Sequence, residues 1–239
     1  MSPSSTDVRK TLSGELRYGI RTLKQHGLRF LLLFIALLLP LWVFGALAEE
    51  VHEGDVFFFD QPLLQWAQGW HSPVMDRVSL FFSAIGYQWG VVPFDILLVL
   101  VLALKRRPRE GLFAGIALAG SGLLNVAAKH YFGRARPSLW ESISPETTYS
   151  FPSGHAMGSM TLAAVLVLLA WPTRWRWWVL GLMVPFVLMV GASRVYLGVH
   201  YPSDILAGWA AALAWVIGVY LVVFRGSRRP WEPPHSLGR

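Results

Sequence analysis

Six long apolar runs, at 30–47, 85–104, 112–128, 156–171, 177–195 and 205–224, alternate with polar segments along the chain. A helix needs roughly 17 to 25 residues to cross the hydrocarbon of a bilayer, and the runs fit that span. The shortest, 156–171, gains length if its helix begins at the turn over 153–155. The pattern predicts an all-α, polytopic membrane protein: one six-helix transmembrane domain at 30–225, a cytoplasmic segment at 1–29 and a basic cytoplasmic tail at 226–239. Pro93 and Pro185 each remove a helical hydrogen bond and predict kinks in the second and fifth runs. Gly111, Gly115, Gly120 and Gly122 read as small-residue faces for close helix contact, because van der Waals packing drives helix association in lipid. Within 1–29, Val8, Leu12, Leu16, Ile20 and Leu23 fall at helical spacing among basic residues, as in a helix lying on the inner leaflet or in a partly ordered tail.

Composition narrows the class. The 239 residues are 54% hydrophobic and only 15% charged, whereas soluble domains carry about 25% charged residues. The net charge of +7 does not point to nucleic acid, because the basic residues are scattered through the loops rather than gathered on one polar face. They report topology instead. With the N-terminus cytoplasmic, 16 of the 21 lysines and arginines fall on the inner side, and only Arg77, Lys129, Arg134, Arg136 and Arg194 lie outside. That asymmetry is what orients membrane proteins. The first outer loop, about 49–76, is acidic and aromatic and is expected to lie on the membrane, while Trp171, Trp175, Trp177 and Trp178 form an inner aromatic belt. Ala46-Leu47-Ala48 has the small-x-small form of a signal-peptide cleavage site, but the apolar and basic stretches before it are too long for that role, so the first run is expected to remain as a span. With no cysteine in the chain, disulfides and thiolate-based phosphate chemistry are excluded.

Four of the five outer cations lie in or beside three short patterns: K-x6-R-P (Lys129, Arg136, Pro137), P-S-G-H (Pro152, Ser153, Gly154, His155) and S-R-x5-H-x3-D (Ser193, Arg194, His200, Asp204). The topology brings all three to the outer ends of their helices. A phosphoryl group in transfer spreads negative charge over three oxygens, and catalysis consists largely of positioning and neutralising that charge. Lys129, Arg136 and Arg194 supply the cations, and the arginines can make bidentate contacts. Ser153 and Gly154 open a helix whose free N–H groups can face the same anion. His200 and Asp204, four apart at a helix start, share a face, so the carboxylate can hold one ring nitrogen and leave the other free to attack phosphorus. His155 would then protonate the leaving oxygen. Arg134 is open between phosphate contact and solvated loop. Asp95, inside the second run, reads as a buried hydrogen-bonding group.

Together the three patterns resemble the signature of the type-2 phosphatidic acid phosphatase superfamily, specifically its membrane-embedded lipid phosphatases, over roughly residues 110–225. The resemblance implies His200 as nucleophile, Asp204 as its orienter, His155 as general acid, and Lys129, Arg136, Ser153, Gly154 and Arg194 as the phosphate cradle. It also implies a phosphohistidine opened by water with no metal or other cofactor, and a membrane lipid as substrate. An outward site with no large outer domain suits a headgroup that is little more than phosphate. Among family substrates this favours undecaprenyl diphosphate, then phosphatidylglycerol phosphate or phosphatidic acid, with lipid A phosphate behind them. A phosphotransferase passing the phosphate to another lipid is the alternative.

Overall fold

The computed structural model describes residues 35–225 and 229–232, so the amphipathic pattern at 8–23 lies outside the described residues. Within them the secondary structure is entirely helical: α1 (Ile35–Glu53), α2 (Asp60–Gln68), α3 (Pro73–Ile85), α4 (Val91–Leu104), α5 (Pro108–Phe132), α6 (Gly154–Ala170), α7 (Arg176–Tyr196) and α8 (Pro202–Val223). By length and composition α1, α5, α7 and α8 can each cross a membrane, while α4 and α6 are shorter apolar helices. At 1.5 Å per residue, α4 rises only about 21 Å, less than the roughly 30 Å of hydrocarbon.

Every expected run carries a helix, with shifted ends. The second run begins at Val91 rather than 85, because Gly86 and Gly90 flank a turn that separates it from α3. A Cβ on Gly86 would come within 2.6 Å of Val190, and one on Gly90 within 2.1 Å of the Ile85 carbonyl oxygen. Pro93 therefore falls in the first turn of α4, where its missing N–H has no intrahelical partner to lose, so of the two expected kinks only the one at Pro185 falls inside its helix. Helices α2 and α3 were hidden in and beyond the acidic loop that follows the first run. Their start signals are local: Ser72 caps α3 by accepting from the Met75 N–H at 3.3 Å, with Pro73 as the first helical residue.

Helix α6 is the hub and touches α4, α5, α7 and α8. Half of its buried residues are small (Ala156, Ser159, Thr161, Ala163), and α8 comes close enough that a Cβ on Gly208 would stand 2.9 Å from the Ser153 carbonyl oxygen. Of the α5 glycines, Gly120 meets the Trp215 ring, whereas Gly115 and Gly122 face open space and line a cleft between α4, α5 and α6. The half away from the three motifs is a core of Leu102, Phe113, Ala117, Val165, Leu169, Val216 and Phe224. Trp231 closes it: its indole N–H donates to the Leu169 carbonyl at 2.7 Å and its backbone N–H to Glu110 at 2.6 Å. At the end that carries the motifs α1 packs through Ala48 and Val51 onto Phe151 and Ala207. Ala46-Leu47-Ala48 thus lies within a continuous, packed helix.

Candidate active site

The C-terminal ends of α5 and α7, the N-terminal ends of α6 and α8 and the long loop 133–153 converge, and that junction holds every residue picked from the three patterns. Helix α5 ends because Gly133 takes a left-handed conformation (φ 59°), which glycine adopts without strain. The chain leaves Lys129 in the last helical turn and carries Arg134 and Arg136 into the loop. At the start of α6, the Ser153 hydroxyl accepts from the Ala156 N–H, and a Cβ on Gly154 would sit 3.0 Å from Asn125 Oδ1. Any larger residue there would press on the Asn125 side chain.

His200 lies in the short turn between α7 and α8, fully buried. Its Nδ1 stands 3.3 Å from Asp204 Oδ2, and its Nε2 is 3.0 Å from Arg136 Nη1. A guanidinium can only donate, so these partners assign the tautomer: Nδ1–H toward the carboxylate and a bare lone pair on Nε2. Burial pushes the imidazole down to about 4, against the pull of Asp204 the other way. Asp204 is itself held by the Tyr201 N–H at 2.9 Å, by Arg134 at 2.6 Å and by the Ser150 hydroxyl.

Arg134 is turned inward and paired rather than lying in a solvated loop. It bridges Asp204 to Asp60, with 3.0 Å to Asp60 Oδ2, donates to Ser203 at 2.8 Å and stacks on the Tyr201 ring. Asp60, on α2 and fully buried, also accepts from the Ser203 backbone N–H at 2.9 Å and its hydroxyl at 2.6 Å. This second layer of charge fixes the start of α8 and the carboxylate that orients His200.

Arg136 and Arg194 converge on one carboxylate, Glu146 of the loop. Arg136 donates to it through Nη2 at 2.8 Å, Arg194 donates to its other oxygen, and His155 Nδ1 lies 3.8 Å from that same oxygen. Burial pushes the Glu146 carboxyl up, but the charges of Arg194, Arg136, His155 and His200 outweigh it and hold the group below its ordinary value. Arg194 is 1% exposed; its Nη1 is anchored on Ser83 of α3, and its buried Nε has no partner among the described residues. Lys129 reaches Thr148 at 3.2 Å and the Tyr149 carbonyl, sharing both residues with Arg136. The His155 ring leans on Tyr87, with centroids 5.1 Å apart.

Lys129, Glu146, Thr148, Gly154, His155 and Arg194 face a cavity of about 660 Å³. Tyr87, Asn125 and Gly154 also line the neighbouring cleft of about 440 Å³ between α4, α5 and α6, whose other walls are largely apolar. Asp95 faces that cleft. Its Oδ1 is buried with no hydrogen-bond partner among the described residues, contrary to the paired role expected from the sequence. Asp60, Glu146 and Ser150 were not picked from the sequence. An acid or serine in an outer loop reads as solvated, and the only available signal was the excess of cations it had to meet.

Comparison with known proteins decides the family. The PAP2 superfamily profile matches residues 110–228. A decaprenylphosphoryl-5-phosphoribose phosphatase of Mycobacterium tuberculosis is 34% identical over 66% of this chain and 88% of its own length. The chain belongs to the PAP2 superfamily. An undecaprenyl-diphosphatase of Sulfolobus acidocaldarius is 33% identical over 56% of the chain, which spans 64% of that relative's length. The crystal structure of a transmembrane PAP2 type phosphatidylglycerolphosphate phosphatase from Bacillus subtilis superposes with a TM-score of 0.69 over 77% of this chain and 94% of its own, at 24% identity, and so shares the fold. This PAP2 protein is a multi-pass membrane protein, with its described helices in the family arrangement.

Proposed function

We propose that this PAP2 protein is an integral membrane lipid phosphatase that removes a terminal phosphate from a phosphomonoester or diphosphate headgroup. The observation that carries the reading is His200, neutral and with its Nε2 lone pair aimed at the arginine cluster that opens toward an apolar cleft. In the first step Nε2 attacks phosphorus, the bond from phosphorus to the lipid oxygen breaks, and His155 gives that oxygen its proton. The phosphoryl oxygens are neutralised by Arg136, Arg194 and Lys129 and by the N–H groups at the start of α6 beside Ser153 and Gly154. Asp204 steadies the imidazolium that forms, with Arg134 and Ser150 holding Asp204 in turn. Water, deprotonated by His155, then opens the phosphohistidine, so one lipid phosphate and one water yield the dephosphorylated lipid and inorganic phosphate.

The lipid chain runs down the cleft between α4, α5 and α6. Two relatives bear the names of polyprenyl phosphate enzymes, and with the minimal outer recognition surface this favours undecaprenyl diphosphate over phosphatidylglycerol phosphate, phosphatidic acid and lipid A. The test is phosphate release from all four lipids in one detergent, with EDTA present throughout because side-chain cations carry the charge neutralisation. Undecaprenyl diphosphate should show the highest kcat/KM. If it ranks last the substrate assignment is wrong, and if none of the four releases phosphate the phosphatase assignment is wrong.

We further infer six spans, α1 and α4 to α8, in a cell membrane, with both termini cytoplasmic and the site on the outer face. The charge asymmetry of the loops supports this orientation. Thr147 and Lys105 are both exposed and lie at opposite ends of the helix array. In this cysteine-free chain, T147C should react with an impermeant maleimide on intact cells and K105C only after lysis. The reverse pattern would turn the protein over.

A further inference from the structure

We propose that Glu146 is a specificity-determining residue: it holds the anion site against the phosphodiester lipids of the surrounding bilayer and yields to a terminal phosphate. The proposal rests on the lipid phosphatase reading of the same site.

Glu146 is bound by the groups a transferred phosphoryl would need. One oxygen meets Arg194 and lies 3.8 Å from His155, and the other meets Arg136 at 2.8 Å. A phosphoryl group engaging both arginines within reach of His200 has to take the place of this carboxylate. The residue is free to leave, because its neighbours Pro145 and Thr147 are exposed loop residues, and its own side chain keeps 26% of its surface accessible while the arginines beneath it are largely buried.

Charge then decides which lipid can displace it. A terminal phosphate carries about −1.5 to −2 at neutral pH and offers three acceptor oxygens, whereas a phosphodiester carries a single charge and two free oxygens. The diester thus matches the carboxylate in charge and gains nothing in exchange for it. Glu146 also competes from within the chain, at the effective concentration of roughly millimolar or more that a short tether confers. A terminal phosphate has the additional charge and the third oxygen, which can engage the unpartnered Arg194 Nε. A membrane enzyme bathed in diester lipids needs such a filter, because the apolar cleft alone accepts any acyl chain.

The experiment measures hydrolysis of phosphatidic acid by the full chain in mixed micelles, with dioleoylphosphatidylglycerol as the competing diester. In E146Q the inhibition constant of the diester should fall at least about tenfold, equivalent to about 1.4 kcal/mol. E141Q, which removes an exposed acid of the same loop, should behave as the wild type. If E146Q does not fold, E146C replaces it: an anionic thiosulfonate reagent should restore the wild-type constant and a neutral one of similar size should not. Equal diester constants in wild type and E146Q, an equal shift in E141Q, or restoration by the neutral reagent would each overturn the proposal. A loss of thermal stability with an unchanged diester constant would make Glu146 only a structural counter-ion. A wild-type chain that releases no phosphate from any lipid sinks the phosphatase reading instead.

Discussion

Replacing His200 with alanine should lower kcat/KM by about 10⁴ or more, because the nitrogen that attacks phosphorus and the covalent route are lost with it. Asp204→Asn should come close to that loss, since an amide can turn its NH₂ toward Nδ1 and favour the wrong tautomer. The same histidine makes a separate demand on the protonation state. Its buried imidazole is held down to about 4, so it is neutral throughout the physiological range and gains a proton only as pH falls through that value. An NMR titration, with the His200 signal identified by its absence in H200A, should show at most about a tenth of it protonated between pH 8 and pH 5. Near-normal phosphate release from H200A, or a midpoint near the ordinary 6.5 of histidine, would remove His200 from the proposed chemistry.

The second large effect is expected at Arg194. Its guanidinium spans two anchors, Ser83 on α3 and Glu146 on the loop, and keeps Nε unsatisfied between them. Lysine presents a single point charge and cannot occupy two anchors and an anion together. Transition-state arginines in phosphoryl transfer are worth about 10³ to 10⁵ in rate, so R194K should lose about 10³ in kcat/KM in spite of conserving the charge. The same substitution at exposed Arg106, at the far end of the helix array, serves as a control and should be silent. Phosphate release by R194K within tenfold of the wild type would show that charge alone suffices there.

The span pattern and the three motifs were legible because each depends on residues close in sequence. Apolar runs report helices locally, and the K-x6-R-P, P-S-G-H and S-R-x5-H-x3-D spacings each cover a helix end with the turn or loop directly beside it. The support around them was not legible. Asp60 reaches Ser203 across 143 residues and Arg134 reaches Asp204 across 70, and no local pattern pairs an acid in a loop with an arginine that far away. Asp95 failed for the opposite reason. A carboxylate inside an apolar helix implies a partner by the energetics of burial, yet here Oδ1 faces a cleft between helices rather than a donor. Helices α2 and α3 were missed because their apolar faces are short and interrupted, and α2 buries only Asp60, Leu64 and Ala67.

The contact of α1 and α2 with the motif junction bears on where this chain could be shortened. The family profile begins at residue 110, which invites a fragment that starts there. Such a fragment would strip α1 from Phe151, a fully buried ring directly between Ser150 and Pro152. It would also delete Asp60, leaving Arg134 and the Ser203 N–H without their buried acceptor, and an orphaned buried donor costs about 1 to 3 kcal/mol, more when charged. The motif-bearing half is thus no autonomous unit: its geometry is borrowed from the half without motifs, and the smallest piece worth expressing begins before α1.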